Sequence, residues 1–123
     1  MDIKKTLDFL ITTYGLNYEY QKFSDRFTHS FFNKSGCFTV QYIPSICEMS
    51  FLVSPKFSNK LEELCEKDVD VWTISPEIWN RRGRFWIFKR PLFWCFNNNV
   101  ITTFAEALKI HLEKERSFFG IQV

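Results

Sequence analysis

Over the first fifteen residues the apolar positions recur at helical spacing. Ile3, Leu7, Leu10, Ile11 and Tyr14 fall on one face, Asp2 stands where a cap is wanted, and Gly15 can close the helix with a positive φ. One amphipathic helix is predicted. The period then changes to two: Leu16, Tyr18 and Tyr20 alternate with Asn17, Glu19 and Gln21, as in a half-buried strand. Two β-rich runs follow, Thr28 to Phe32 and Cys37 to Ile43. The cluster Asn33-Lys34-Ser35-Gly36 between them predicts a hairpin, with Gly36 free to take a positive φ. Pro44 and Ser45 interrupt, and Ile46 to Val53 reads as a further strand. Ser54-Pro55 ends it before Ser58, the expected cap of a second helix. Leu61, Leu64 and Cys65 give that helix a buried side, while Glu62, Glu63 and Glu66 make its outer face acidic.

The second half repeats these signals at shorter intervals. Val71 to Ile74 reads as a short strand, and Ser75-Pro76-Glu77 starts a short helix or turn that carries Ile78 and Trp79. Arg82-Gly83-Arg84 is a loop. Phe85 to Phe88 and Leu92 to Phe96 read as strands around Lys89-Arg90-Pro91, where Pro91, lacking an N–H, belongs at a turn or an edge. Asn97-Asn98-Asn99 offers a cap for a third helix, marked by Ile101, Phe104, Leu108, His111 and Leu112. The tail Ser117 to Val123 is apolar enough to dock as a last strand. Strands come in hairpin-length runs and are not each followed by a helix. The expectation is therefore α+β: one domain over residues 1–123, mainly an antiparallel sheet with about three helices on one side.

Composition sharpens this picture in two places. Aromatic residues are 19% of the chain, so a domain of 123 residues can build a large core from few side chains. The net charge of +2 is too mild to mark a nucleic-acid binder, but its distribution is uneven. Residues 61–77 carry six acids against Lys67, and residues 78–90 carry five basic residues and no acid. Such adjacency either neutralises itself within the fold or orients a partner. Cys37, Cys47, Cys65 and Cys95 show no CxxC spacing and sit among apolar neighbours, as buried reduced thiols do. The first fifteen residues have acids at Asp2 and Asp8 and no unbroken apolar run. The reading is a cytoplasmic protein with no signal peptide and no membrane insertion.

Candidate chemistry is sparse. His29 lies in a strand or turn and His111 on the third helix, and both read as structural residues. No pair of His or Cys residues has metal-ligand spacing, so no metal is expected. Glu62-Glu63 and Asp68-x-Asp70 fall on the solvent face of a Lys- and Glu-rich helix. None of the four glycines forms a phosphate loop, and no cofactor is expected. A non-catalytic protein is the preferred reading; a small enzyme with a site assembled from distant residues is the alternative.

The loudest feature is Val71 to Phe96, which holds all four tryptophans, four of fifteen phenylalanines and five of sixteen basic residues. Trp72, Trp86 and Trp94 read as core. Trp79, beside Arg81, Arg82 and Arg84, is the best exposed candidate for a protein interface, with Lys89 and Arg90 near it and the acidic Glu62, Glu63 and Glu66 opposite in sign. A competing reading stacks Phe85 or Trp86 on single-stranded bases while Arg84, Lys89 and Arg90 neutralise phosphates. Both faces of Phe85-Trp86-Ile87-Phe88 are apolar, however, which suits a covered strand better than an open platform. Exposed aromatics also suit a homodimer face, so a monomer and a homodimer both remain open.

Three segments, DVDVWTISPEIW (Asp68 to Trp79), PLFW (Pro91 to Trp94) and SFFGI (Ser117 to Ile121), give the chain a family likeness. It resembles the small immunity proteins of bacterial polymorphic toxin systems. The resemblance implies a protein that binds a cognate toxin domain and blocks its active surface by shape and charge, without catalysis. Inhibitors of nuclease toxins are often strongly acidic, and this chain is mildly basic. The resemblance therefore implies a toxin of another activity, or docking through the acidic face at 62–70.

Overall fold

The computed structural model describes residues 3–46, 48–58, 67–68, 86–87, 90–91 and 98–123, with the backbone alone at 67–68, 86–87, 90–91 and 98–100. Its elements are α1 (Ile3–Thr6), α2 (Phe9–Thr12), β1 (Asn17–Lys22), β2 (Phe27–Asn33), β3 (Gly36–Ile43), a 3₁₀ turn (Pro44–Ile46) and β4 (Glu48–Ser54). They continue with β5 (Lys67–Asp68), β6 (Trp86–Ile87), β7 (Arg90–Pro91), α3 (Asn98–Lys114), β8 (Ser117–Phe118) and β9 (Ile121–Gln122). The main sheet is antiparallel in the order β1-β2-β3-β4-β5. The fold is α+β.

Because side chains alternate along each strand, the register assigns every sheet residue to one of two faces. Tyr18, Phe31, Phe38 and Val53 form one row on the first face, and Tyr20, His29, Val40 and Phe51 form the next. This is the core face. The Phe104 ring of α3 packs 5.8 Å from Phe38 and 5.7 Å from Phe51, centroid to centroid, and Phe118 meets Phe38 edge-on at 5.6 Å. Ile101, Leu108 and Leu112 of α3, Leu7 and Leu10 are fully buried in the same cluster. Helices thus lie on this side. Lys109 of α3 sits over the Phe9 ring and Arg116 over Tyr14, so basic stems tie the N-terminal turns to the long helix.

The second face carries buried polar residues on β2, β3 and β4. Thr28, Ser30, Thr39, Gln41 and Ser54 are buried there, with Cys37 among them. Ser30 and Thr39, directly opposite on β2 and β3, share a 3.0 Å hydrogen bond, and Thr39 Oγ1 lies 3.5 Å from Cys37 Sγ. Phe57 stacks on Phe32 at 4.2 Å on the same side.

Several expectations are corrected. The first helix breaks into α1 and α2, because Leu10 and Ile11 donate to the carbonyls of Leu7 and Asp8, three residues back, and tighten the chain there. Apolar spacing is the same on both sides of the break, so periodicity does not reveal it. Gly15 does take a positive φ, +71°. Gly36 does not: a Cβ there would meet Ile121 Cγ1 at 3.1 Å and the Ser54 carbonyl oxygen at 3.2 Å, so close approach is what its missing side chain permits. The tail makes a hairpin of its own, β8 to β9, with Phe119 at φ 50° and Gly120 at φ 85° in the turn. The Phe119 ring stacks on Phe38 at 6.3 Å. Arg90 and Pro91, expected between two strands, are themselves strand, with Trp86 paired to Pro91 and Ile87 to Arg90. Lys67-Asp68 is strand paired to Val53 and Leu52, so Asp68 does not sit on the predicted helix. The expected second helix over Leu61, Leu64 and Cys65, the strand at Val71 to Ile74 and the turn at Ser75 to Trp79 lie outside the described residues.

Candidate protein-binding surface

The two ends of the sheet differ. At one end the β2–β3 turn is fastened to the C-terminal hairpin. Asn33 Oδ1 accepts from the Ser35 backbone N–H at 2.8 Å and its hydroxyl at 2.6 Å, Asn33 Nδ2 donates to the Gln122 carbonyl at 2.7 Å, and the Gln122 N–H donates to Ser35 Oγ at 2.8 Å. That end is structural. At the other end lie Lys22 and Phe27, the Phe23 to Arg26 turn, Tyr42 and the 3₁₀ turn before β4.

Apolar and aromatic groups at this second end reach solvent. Ile46, on the 3₁₀ turn, is 60% exposed and Tyr20 46% exposed, the two exposed large hydrophobics among the described residues. Phe27 lies between Tyr20 and Tyr42, its ring stacked at 6.4 Å on each and at 18° to both. His29 completes the row, 5.0 Å from Tyr20 and hydrogen-bonded through Nδ1 to the Tyr18 hydroxyl at 2.8 Å. These residues belong to the core face of the sheet. The helices cover its middle, and the row Lys22-Phe27-Tyr42 is only half-buried or exposed.

Charge borders this aromatic ladder. Lys22 Nζ lies 5.6 Å from the centre of the Phe27 ring, and Lys4 Nζ 5.5 Å from that of Tyr18. Arg26 grips Asp25 through two bonds, 2.9 and 2.8 Å. That bidentate bond holds the Asp25 carboxyl below its usual range and raises Arg26, with the Glu48 charge adding to the latter. Stiff rings at low entropic cost, ringed by Lys, Arg and Glu, are what a protein interface uses for affinity and orientation.

The residues singled out for binding in the sequence are placed less fully. Trp79, Arg81, Arg82, Arg84 and Lys89, like Glu62, Glu63 and Glu66, lie outside the described residues; Arg90 is described in its backbone, paired with Ile87. The aromatic ladder on β1, β2 and β3 was missed by sequence reasoning. Tyr18-x-Tyr20 signalled a half-buried strand, but only the strand order puts Tyr20 at an edge. His111 is buried on α3, where its Nε2 donates to the Ser117 carbonyl at 3.0 Å and ties the helix to β8. Among the described residues no group of three or more His, Cys, Asp or Glu is placed to hold a metal ion, and no helix is long and apolar enough to cross a membrane. No known protein family, curated protein or solved structure matches the chain.

Proposed function

We propose that this chain is a non-catalytic protein-binding module of the immunity type, which occupies and blocks the active surface of a cognate bacterial toxin domain. One observation supports the binding role above others: Ile46, more than half exposed, stands at the end of the sheet that also carries the stacked Phe27 and Tyr42. An exposed apolar group at the same sheet end as rigid rings, bordered by charge, is the make-up of a partner-binding patch. The Trp79 and Arg81-Arg82-x-Arg84 segment is proposed as a further partner-binding segment. The immunity reading adds the kind of partner, and it rests on the family likeness of the second half of the chain.

The test is protection in the cell. The gene beside this one is expected to encode a large secreted protein ending in a toxin domain, and co-expression of this chain to restore growth when that domain is produced. Failure to protect, with both proteins present, sinks the proposal. If the chain instead retains mixed single-stranded oligonucleotides at about 50 mM salt and loses them steeply as salt rises, the nucleic-acid reading replaces it.

A further inference from the structure

β1 is the outer strand of the sheet among the described residues, and Asn17, Glu19, Tyr20 and Lys22 are exposed along it. An outer strand presents a row of backbone donors and acceptors to any strand that can match it. Sheet proteins blunt such edges with proline, bulges, very short strands or charged side chains; β1 has only the last of these, Glu19 and Lys22, which limit the registers it can adopt. β1 runs six residues without proline or glycine and pairs in unbroken register with β2.

We propose that β1 pairs with β1 of a second copy of this chain, joining two sheets into one across a two-fold axis at Tyr20. Symmetry restricts the register. A two-fold axis perpendicular to the sheet carries each face onto itself, so residue i must lie opposite a residue of the same face, and the axis must pass midway between one residue and its own copy. Three centres merit comparison. Centred on Glu19, the join sets two carboxylates against each other, which is unfavourable. Centred on Gln21, it overlaps only Tyr20 to Lys22 of each six-residue strand. Centred on Tyr20, it overlaps Tyr18 to Lys22, places Glu19 against Gln21, and sets no two like charges opposite. The exposed ring of Tyr20 then meets its own copy, an aromatic cross-strand pair.

This pairing extends the aromatic row through both molecules. It covers Tyr20 and leaves Phe27, Tyr42 and Ile46 outside the join, because they lie one or more strands in from the edge. Dimer formation therefore does not depend on the toxin reading, and it is measured with no partner present. Two short strands bury less surface than a standard interface, so the dimer should be weak and concentration-dependent.

Sedimentation of the purified chain between about 10 μM and 1 mM should show a monomer shifting to a dimer, the range in which a small interface associates. Tyr20→Lys, which sets two ammonium groups beside the axis, should leave a monomer that still unfolds in one cooperative transition. Register is read by cross-linking. Cα atoms opposite each other in an antiparallel pair are about 4.5–5.5 Å apart, within disulfide reach. Tyr20→Cys should oxidise to a covalent dimer, above the level of the unsubstituted chain. Lys22→Cys should not, because its two copies would be about 14 Å apart, four residues of strand rise. A monomer at every concentration, a dimer that survives Tyr20→Lys, or equal cross-linking of the two cysteine variants overturns the proposal.

Discussion

Gly36 shows how much one residue can decide. Its lack of a side chain lets β9 approach the β2–β3 hairpin, with Ile121 Cγ1 3.1 Å and the Ser54 carbonyl 3.2 Å from where a Cβ would stand. Gly36→Ala should therefore destabilise by about 1–3 kcal/mol, the usual range for overpacking, read as a lower denaturant midpoint at constant slope. The sequence marks Gly36 as special but points to the wrong reason, since a turn glycine and a close-contact glycine look alike until the neighbouring strand is placed. Asp25 offers a pH test at the same scale. Its carboxyl is held below the ordinary value of 3.8 by the Arg26 bond, so the stability it contributes is present above that pH and is lost as pH falls through the lower folded value. Both partners are open to solvent, and the effect is accordingly small. Asp25→Asn should differ slightly from the parent protein near neutrality, and the difference should vanish in acid titrations followed by circular dichroism.

Among the elements, α3 is the one its sequence defines most fully. Ile101, Phe104, Leu108, His111 and Leu112 repeat at helical spacing, and all five are buried against the sheet or the C-terminal hairpin. Phe104→Ala should cost about 3–5 kcal/mol, because the ring fills the space between Phe38 and Phe51. The β2–β3 pair makes a different prediction. Thr39→Val leaves the Ser30 hydroxyl, buried on the polar face, without its bond and should cost about 1–3 kcal/mol; Ser30→Ala added to it should recover part of that loss. A double-mutant cycle measures the coupling. What the pattern does not show is the break between α1 and α2, because both halves present the same apolar face. It also hides the C-terminal hairpin, since Ser117 to Val123 is short and apolar throughout and only the positive φ of Phe119 and Gly120 turns it back on itself.

At the scale of the whole molecule, the α+β class followed from hairpin-length strands between amphipathic helices, whereas the candidate surface did not. Tyr20, Phe27 and Tyr42 are seven and fifteen positions apart in sequence and become one ladder only through the β1–β2–β3 register. Ile46 is an apolar residue of the kind usually read as core, and it is exposed because Pro44 and Ser45 turn the chain out of the sheet before β4 begins. Interfaces assembled across strands leave no local motif, which is why the tryptophan and arginine segment dominated the sequence reading. Protein binding is proposed for this sheet end. The direct test is calorimetric titration of the purified chain with the toxin domain that the proposal expects beside its gene. Tight binding is expected, weakened tenfold or more by Ile46→Asp, at least about 1.4 kcal/mol, while the variant melts with the parent protein. Binding that is absent, or that Ile46→Asp leaves unchanged, would contradict it.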